Sequence, residues 1–202
     1  GARRRILDAR MIKTNEGINM TDIMLDLETL SLHPEATVAS IAAVQFNRKT
    51  GEVGEIFQVR LSLINQMFNG SKVDQSTLNW WTKQSTEAKN TLLAGPTQFP
   101  VDACNYFNSW LTETFTDLNN TNLWGNGVTA DNTWIRNLFV RESIEFVIPY
   151  WCDTDVRTLV NLENYDEVKL RAGEFEGIKH DAIADCKHQI KLVHEAYKLL
   201  KE

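Results

Sequence analysis

The chain has 202 residues, of which 43% are hydrophobic and 24% charged, with a formal net charge of −6. That length can bury a core without staples, and the acidic balance excludes nucleic-acid binding through a global basic field, leaving local basic patches or metal ions that reverse the sign of an acidic pocket. No apolar run approaches the roughly 18 residues of a membrane span, and three cysteines, Cys104, Cys152 and Cys186, lack metal-ligand spacing and fit a reducing, cytoplasmic compartment better than a disulfide scaffold.

Residues 1–19 carry basic side chains but no apolar stretch long enough for a signal peptide. Met20 opens "MTDIMLDLETL", so residues 1–19 are expected to be a leader or upstream extension ahead of one domain over 20–202. In "IMLDLETLSL", Ile23, Leu25 and Leu27 alternate with Met24, Asp26 and Glu28, the period of a strand, here Asp22–Leu27. "ATVASIAAVQFN" (36–47) and "GEIFQVRLSL" (54–63) read as two further strands, joined around Gly51 by turn chemistry, which predicts an antiparallel meander.

The period then changes. "STLNWWTKQ" (76–84) and "STEAKNTLL" (85–93) each open on a serine suited to capping a helix. "PVDACNYFNSWLTETF" (100–115) has proline in its first turn and an apolar stripe at 104, 107, 111 and 115. "TNLWGNG" (121–127) reads as a short strand, "DNTWIRNLFVRES" (131–143) as a helix, "FVIPYWCD" (146–153) as a strand despite Pro149, and "DVRTLVNL" (155–162) as a short helix. The last helix spans about 181–201. A meander followed by alternating helix and strand predicts an α/β mixed sheet flanked by helices.

Asp26 and Glu28 are two residues apart on a strand, so they share a face about 6.5–7 Å apart. Carboxylates that close repel unless one is protonated or a cation lies between them; on a solvated strand end they would be ordinary surface acids. Asp131 follows the strand "NLW" and a glycine turn, where it would serve equally as a helix N-cap. In "HDAIADC", Asp185 aligns with Leu192 and Leu199 on a partly apolar helix side, where an acid is costly unless paired or metal-bound. His180 would stand about 140° from Asp185 in one regular helix, which puts it in the preceding loop or first turn, free to swing toward the same site.

Asp-x-Glu on the first strand, an Asp after a middle strand and His-x-x-x-x-Asp at the last helix, in that order, resemble the DEDDh group of 3′–5′ exonucleases with a ribonuclease H-like fold. The segments "DLETL", "STLNWWTKQSTEAKN", "DVRTL" and "HDAIADC" are similar in particular to phage exonuclease A and its exodeoxyribonuclease VIII-like prophage relatives, over about residues 20–202. One position departs: "GVTAD" has Ala130 where phenylalanine often precedes the aspartate, with Asp153 and Asp155 as nearby alternatives and Asp155 read as a cap.

The resemblance implies a 3′–5′ exonuclease releasing nucleoside 5′-monophosphates from single-stranded DNA or RNA, often as a homodimer. Two divalent cations, Mg²⁺ or Mn²⁺, would be held by Asp26, Glu28, Asp131 and Asp185, with His180 as general base. Thr29 and Leu30 would touch the terminal nucleotide, Trp80 rather than Trp81 would stack on a base, and Lys169, Arg171 and Lys179 would contact phosphates or line a solvated loop. Two other functions fit fewer residues. A glycosidase using Asp26 and Glu28 leaves Asp131, His180 and Asp185 idle, and a 3′-end-binding module leaves five filled catalytic positions without purpose.

Overall fold

The computed structural model describes residues 20–201. The expected leader, residues 1–19, lies outside the described residues. Five strands form one sheet: β1 (Asp22–Thr29), β2 (Val38–Phe46), β3 (Val53–Arg60), β4 (Asn122–Gly125) and β5 (Asp153–Asp155), in the spatial order β3-β2-β1-β4-β5. The meander β1-β2-β3 is antiparallel, while β4 pairs parallel to β1 and β5 parallel to β4. The mixed sheet flanked by helices is therefore the architecture the sequence predicts. No described helix is long and apolar enough to cross a membrane.

Between β3 and β4 come α1 (Leu63–Phe68), α2 (Gln75–Thr82), α3 (Thr86–Leu93) and α4 (Pro100–Thr114). After β4 follow α5 (Asp131–Arg141), then β5, α6 (Val156–Leu162), α7 (Tyr165–Ala172) and α8 (Ala182–Leu199). The caps explain several boundaries. The Ser85 side chain accepts from Ala88 N at the start of α3, Asp155 accepts from Thr158 N at α6, and Asp181 accepts from Ala184 N at α8.

Strand alternation sorts β1 between two cores. Ile23, Leu25 and Leu27 pack with Phe107 and Leu111 of α4 and Ile135 and Leu138 of α5. Met24, on the opposite face, packs with Cys186, Ile190 and Val193 of α8. Asp26 and Glu28 continue the Met24 face, so α8 is the element that confronts them. A third cluster, Leu30, Ala39, Trp81 and Leu92, sits under α2 and α3.

Three expectations need correction. Residues 146–149 form no strand: Pro149 leads into a 3₁₀ turn, Tyr150–Cys152, and the ladder is confined to Asp153–Asp155. Helix α1 replaces the end of the third strand, because Gln66, fully buried, uses its amide to accept from Val38 N and donate to Val38 O. Helix α7 occupies part of what reads as a loop, capped by Asn164, which accepts from Asp166 N and Glu167 N, and closed by Gly173 at φ +77°.

Candidate active site

At the C-terminal end of β1, a cleft of about 380 Å³ is lined by Asp26, Glu28, Asp131, His180 and Asp185, together with Trp80, Trp134, Arg157 and Gln189. The five candidate catalytic residues, drawn from 160 positions of chain, thus converge. Each is delivered differently.

Asp26 and Glu28 come from β1 just before its pairing with β2 shifts register between Glu28 and Thr29. Asp131 is the first residue of α5, but Ala130 holds the N-cap position and no side chain caps this helix. The Asp131 carboxylate instead accepts from the backbone N–H of Leu27 at 3.0 Å. Pairing between β1 and β4 ends at Leu25 and Gly125, so the carboxylate takes a donor that the shorter strand cannot reach. A side chain on Gly125 would collide with Asn132 Oδ1, which is why the turn into α5 starts on glycine.

His180 lies outside α8, immediately before its capping Asp181. Its φ of +65° is a left-handed conformation that histidine tolerates better than most residues. The Thr91 hydroxyl donates to its carbonyl, and its ring meets Trp80 edge-on with centroids 4.7 Å apart. Asp185 follows on the first turn of α8, where a backbone hydrogen bond from His180 reaches its carboxylate. Glu28, His180 and Asp185 offer ligand atoms that all lie within 4.8 Å of one another.

Electrostatics show the strain of this grouping. Burial, then the charges of Asp131, Glu28 and Asp185, push Asp26 well above the usual carboxylate range. Burial and the neighbouring Asp185 and Asp131 raise Glu28 to about 8. Burial also raises Asp131 to about 6, against hydrogen bonds that include Leu27, and raises Asp185 to about 6. Burial and Lys179 lower His180, so its imidazole is neutral at pH 7.

Gln189 and Arg157 are cleft-lining residues that sequence reasoning missed. The Gln189 Nε2 donates to Asp26 Oδ1 at 2.9 Å, and its Oε1 is buried without a partner among the described residues. The signal was present: Gln189 stands four residues after Asp185, on the same helix face. Four crowded carboxyl groups and an orphaned amide oxygen, with a neutral imidazole beside them, form a hard-oxygen donor set that fits divalent cations.

The substrate candidates divide. An apolar recess of about 390 Å³ adjoins the acids, lined by Leu27, Glu28, Thr29, Leu32, Ser76, Thr77, Trp80, Trp81 and Trp134. Trp80 is 42% exposed and lines both recesses, whereas Trp81 is 5% exposed and donates its indole N–H to Thr29 O. Thr29 lines the recess, with its hydroxyl donating to Ser31 O. Leu30 is not brought to the cleft: it is 7% exposed in the third core cluster, and Leu32, 77% exposed, takes the open position. Lys179 is exposed beside His180. Lys169 and Arg171 are on α7, with Lys169 over the Tyr165 ring and Arg171 paired to Glu167, and neither lines the cleft.

Residues 21–197 match the model of the 3′–5′ exoribonuclease Rv2179c-like domain family. The exodeoxyribonuclease of Enterobacteria phage T4 is 25% identical over 205 residues, spanning 88% of this chain and 89% of that protein. Among solved structures, the zinc-bound complex of E. coli ExoI with single-stranded DNA is similar at a TM-score of 0.58 and 17% identity, covering 90% of this chain but only 41% of ExoI. The nuclease domain of 3′hExo, a DEDDh family member bound to rAMP, is similar at a TM-score of 0.57 and 12% identity, covering 89% of this chain and 92% of that one. These structural likenesses show a shared fold.

Proposed function

The chain belongs to the Rv2179c-like 3′–5′ exoribonuclease domain family, and from that premise we propose that it is a DEDDh-type 3′–5′ exonuclease that removes nucleotides one at a time from the 3′ end of single-stranded nucleic acid as 5′-monophosphates. The observation that carries this function is the convergence of Asp26, Glu28, Asp131, His180 and Asp185 in one cleft beside an apolar recess. Residues 20–202 are taken as the exonuclease unit.

Asp26, Glu28, Asp131 and Asp185 would hold two divalent cations, Mg²⁺ or Mn²⁺. When bound, the two ions offset charge on the phosphoryl oxygens and make the attacking water more acidic. Gln189 orients the Asp26 carboxylate through its hydrogen bond. His180, kept neutral by burial, accepts the proton of the attacking water at a ring nitrogen. Its contact with Trp80 fixes the ring, and its left-handed backbone turns it back toward Glu28 and Asp185. The terminal base occupies the apolar recess, stacking on Trp80 and packing against Leu32. Each such base contact contributes about 1–3 kcal/mol.

The family description names RNA and the phage T4 relative is a DNA enzyme, so both sugars belong in the test. Degradation of 5′-labelled single-stranded DNA and RNA is followed with Mg²⁺, Mn²⁺ or EDTA, beside Asp26→Ala. A ladder shortening from the 3′ end, lost in EDTA and in the variant, is the expected result. Tight binding without metal-dependent shortening would overturn it in favour of an end-binding module.

A further inference from the structure

Arg157 is the permanently positive side chain among the described residues that line the acidic cleft. It stands in the first turn of α6, directly after Val156 and the capping Asp155. A helix N-terminus favours anions, so a cation there sits at the less favourable end. Its surroundings do not consume it. The side chain is exposed, and among the described residues its guanidinium makes one long hydrogen bond, Nε to Asn126 Oδ1 at 3.4 Å. Both Nη groups are left with donors to offer.

The base of this side chain is nevertheless fixed. Asp155 accepts from Val128 N at 3.3 Å and from Thr158 N at 3.1 Å, tying the turn after β4 to the start of α6. Gly127, at φ +114°, lies beneath the guanidinium: a Cβ there would be 3.7 Å from Arg157 Cζ. The result is a forked donor held at the rim of an anionic cleft, a geometry suited to a phosphate.

Its side of the cleft can be assigned. Glu28, His180 and Asp185 cluster together, whereas Arg157 stands over the turn that leads into α5, bonded to Asn126 and above Gly127, just before Asp131. In an in-line displacement the attacking water and the departing oxygen lie on opposite sides of phosphorus. With His180 on the water's side, the Asp131 side is that of the departing 3′-oxygen and of the strand that stays behind. We propose that Arg157 binds the retained strand, its guanidinium gripping the phosphate one nucleotide upstream of the scissile one. This assignment rests on the exonuclease function proposed above. It makes Arg157 a substrate-binding residue that holds the new 3′ end between cuts.

The test is a cycle between side chain and phosphate. Oligonucleotides carry a neutral methylphosphonate at single positions upstream of the 3′ end, and are offered to the unaltered protein, Arg157→Ala and Arg157→Lys. For the unaltered protein, neutralising the phosphate one nucleotide upstream lowers kcat/KM about tenfold, the size of one charge-assisted contact. Arg157→Ala loses about as much on the all-phosphate strand, chiefly through KM, and neutralisation then costs it less than about twofold more. Arg157→Lys recovers part of the loss, since it keeps the charge but not the fork. Equal penalties in the unaltered protein and Arg157→Ala would overturn the assignment, as would a scan of the unaltered protein insensitive to that phosphate. The same cycle read by Kd, with a salt slope shallower by about 0.7 in Arg157→Ala, decides the matter even if neither strand is shortened. A failed exonuclease function is thus distinguishable from a misassigned Arg157.

Discussion

The backbone N–H of Leu27 donates to Oδ1 of Asp131 at 3.0 Å, across 104 residues of sequence. One carboxylate therefore completes the hydrogen bonding of β1 and faces the cleft. These two duties separate by substitution. Asp131→Asn keeps an acceptor for Leu27 and removes a buried charge, so the metal-free protein at pH 8 melts no lower than the unaltered one. Asp131→Ala orphans a buried N–H, at a cost of about 1–3 kcal/mol. Both variants are expected to lose at least about a hundredfold in exonuclease rate, because a neutral amide oxygen holds a divalent cation more weakly than a carboxylate and alanine offers no ligand at all. Thermal melts beside rate assays check this, and equal melting points for the two variants would refute the structural half.

The acids set the pH dependence of the metal-free fold. Glu28 is raised to about 8 and Asp131 and Asp185 to about 6, from ordinary values of 4.5 and 3.8. A carboxyl whose pKa is higher in the folded protein than in the unfolded chain binds protons more tightly when folded. Its stabilising contribution is full below the unfolded pKa and is lost as pH rises through the folded one. The metal-free protein is therefore expected to lose stability between about pH 4 and pH 8. Mg²⁺ or Mn²⁺ should raise the melting temperature more at pH 8 than at pH 5.5, since protons no longer compete for the carboxylates. A metal-induced shift that is flat or falls with pH would count against the acid cluster as its seat.

Gln189 connects α8 to the centre of the cluster through Asp26. Gln189→Ala is expected to weaken metal binding by about 10–100-fold, moving the Mn²⁺ concentration for half-maximal activity while leaving KM for the strand within about threefold. Gln189→Glu adds a fifth acid to a repelling group and should be worse. Calorimetric titration of metal into each variant separates this role from simple packing, because a packing defect would lower the melting temperature without shifting the metal midpoint.

Much of this was legible because its physics is local. The Asp26–Glu28 face follows from strand period, and the caps at Ser85 and Asp155 mark two helix starts. What escaped depends on distant partners. Strand alternation continues the Asp26–Glu28 face to Leu30, but the pairing with β2 shifts after Glu28, and Thr29, Leu30 and Ser31 are then all buried. Helix α1 depends on the Gln66 amide bonding the Val38 backbone, and β5 on a parallel ladder with β4. Neither leaves a periodic trace in its own segment. Asp131 reads like a cap because only its bond to Leu27 says otherwise.

The adjacent tryptophans make opposite predictions. Trp81 is buried, with its indole bonded to Thr29 O, so Trp81→Ala should lose about 3–5 kcal/mol of stability. Trp80 is half-exposed between the two recesses. Trp80→Ala should cost about 1–3 kcal/mol in binding of a 3′ end and little in melting temperature, with Leu32→Ala a smaller version of the same. Denaturant melts and Kd for a single-stranded oligonucleotide distinguish them. A Trp80 variant that unfolds early but binds normally would return this residue to the core.

His180 joins an unusual backbone to its proposed chemistry. At φ +65° it occupies a region that asparagine and glycine enter readily. His180→Asn and His180→Gly should therefore fold as well as the unaltered protein or better, and both should lose about 10²–10⁴-fold in rate with the base gone. The pH profile of the unaltered enzyme supplies an independent check. A base works when unprotonated, and burial with Lys179 nearby lowers its pKa from 6.5. The acid limb of the kcat/KM profile is thus expected below pH 6.5. Lys179→Ala removes one of the two influences that lower it and should move that limb upward. A limb above 6.5, or one unmoved in both the Lys179 and His180 variants, would mean that another group takes the proton.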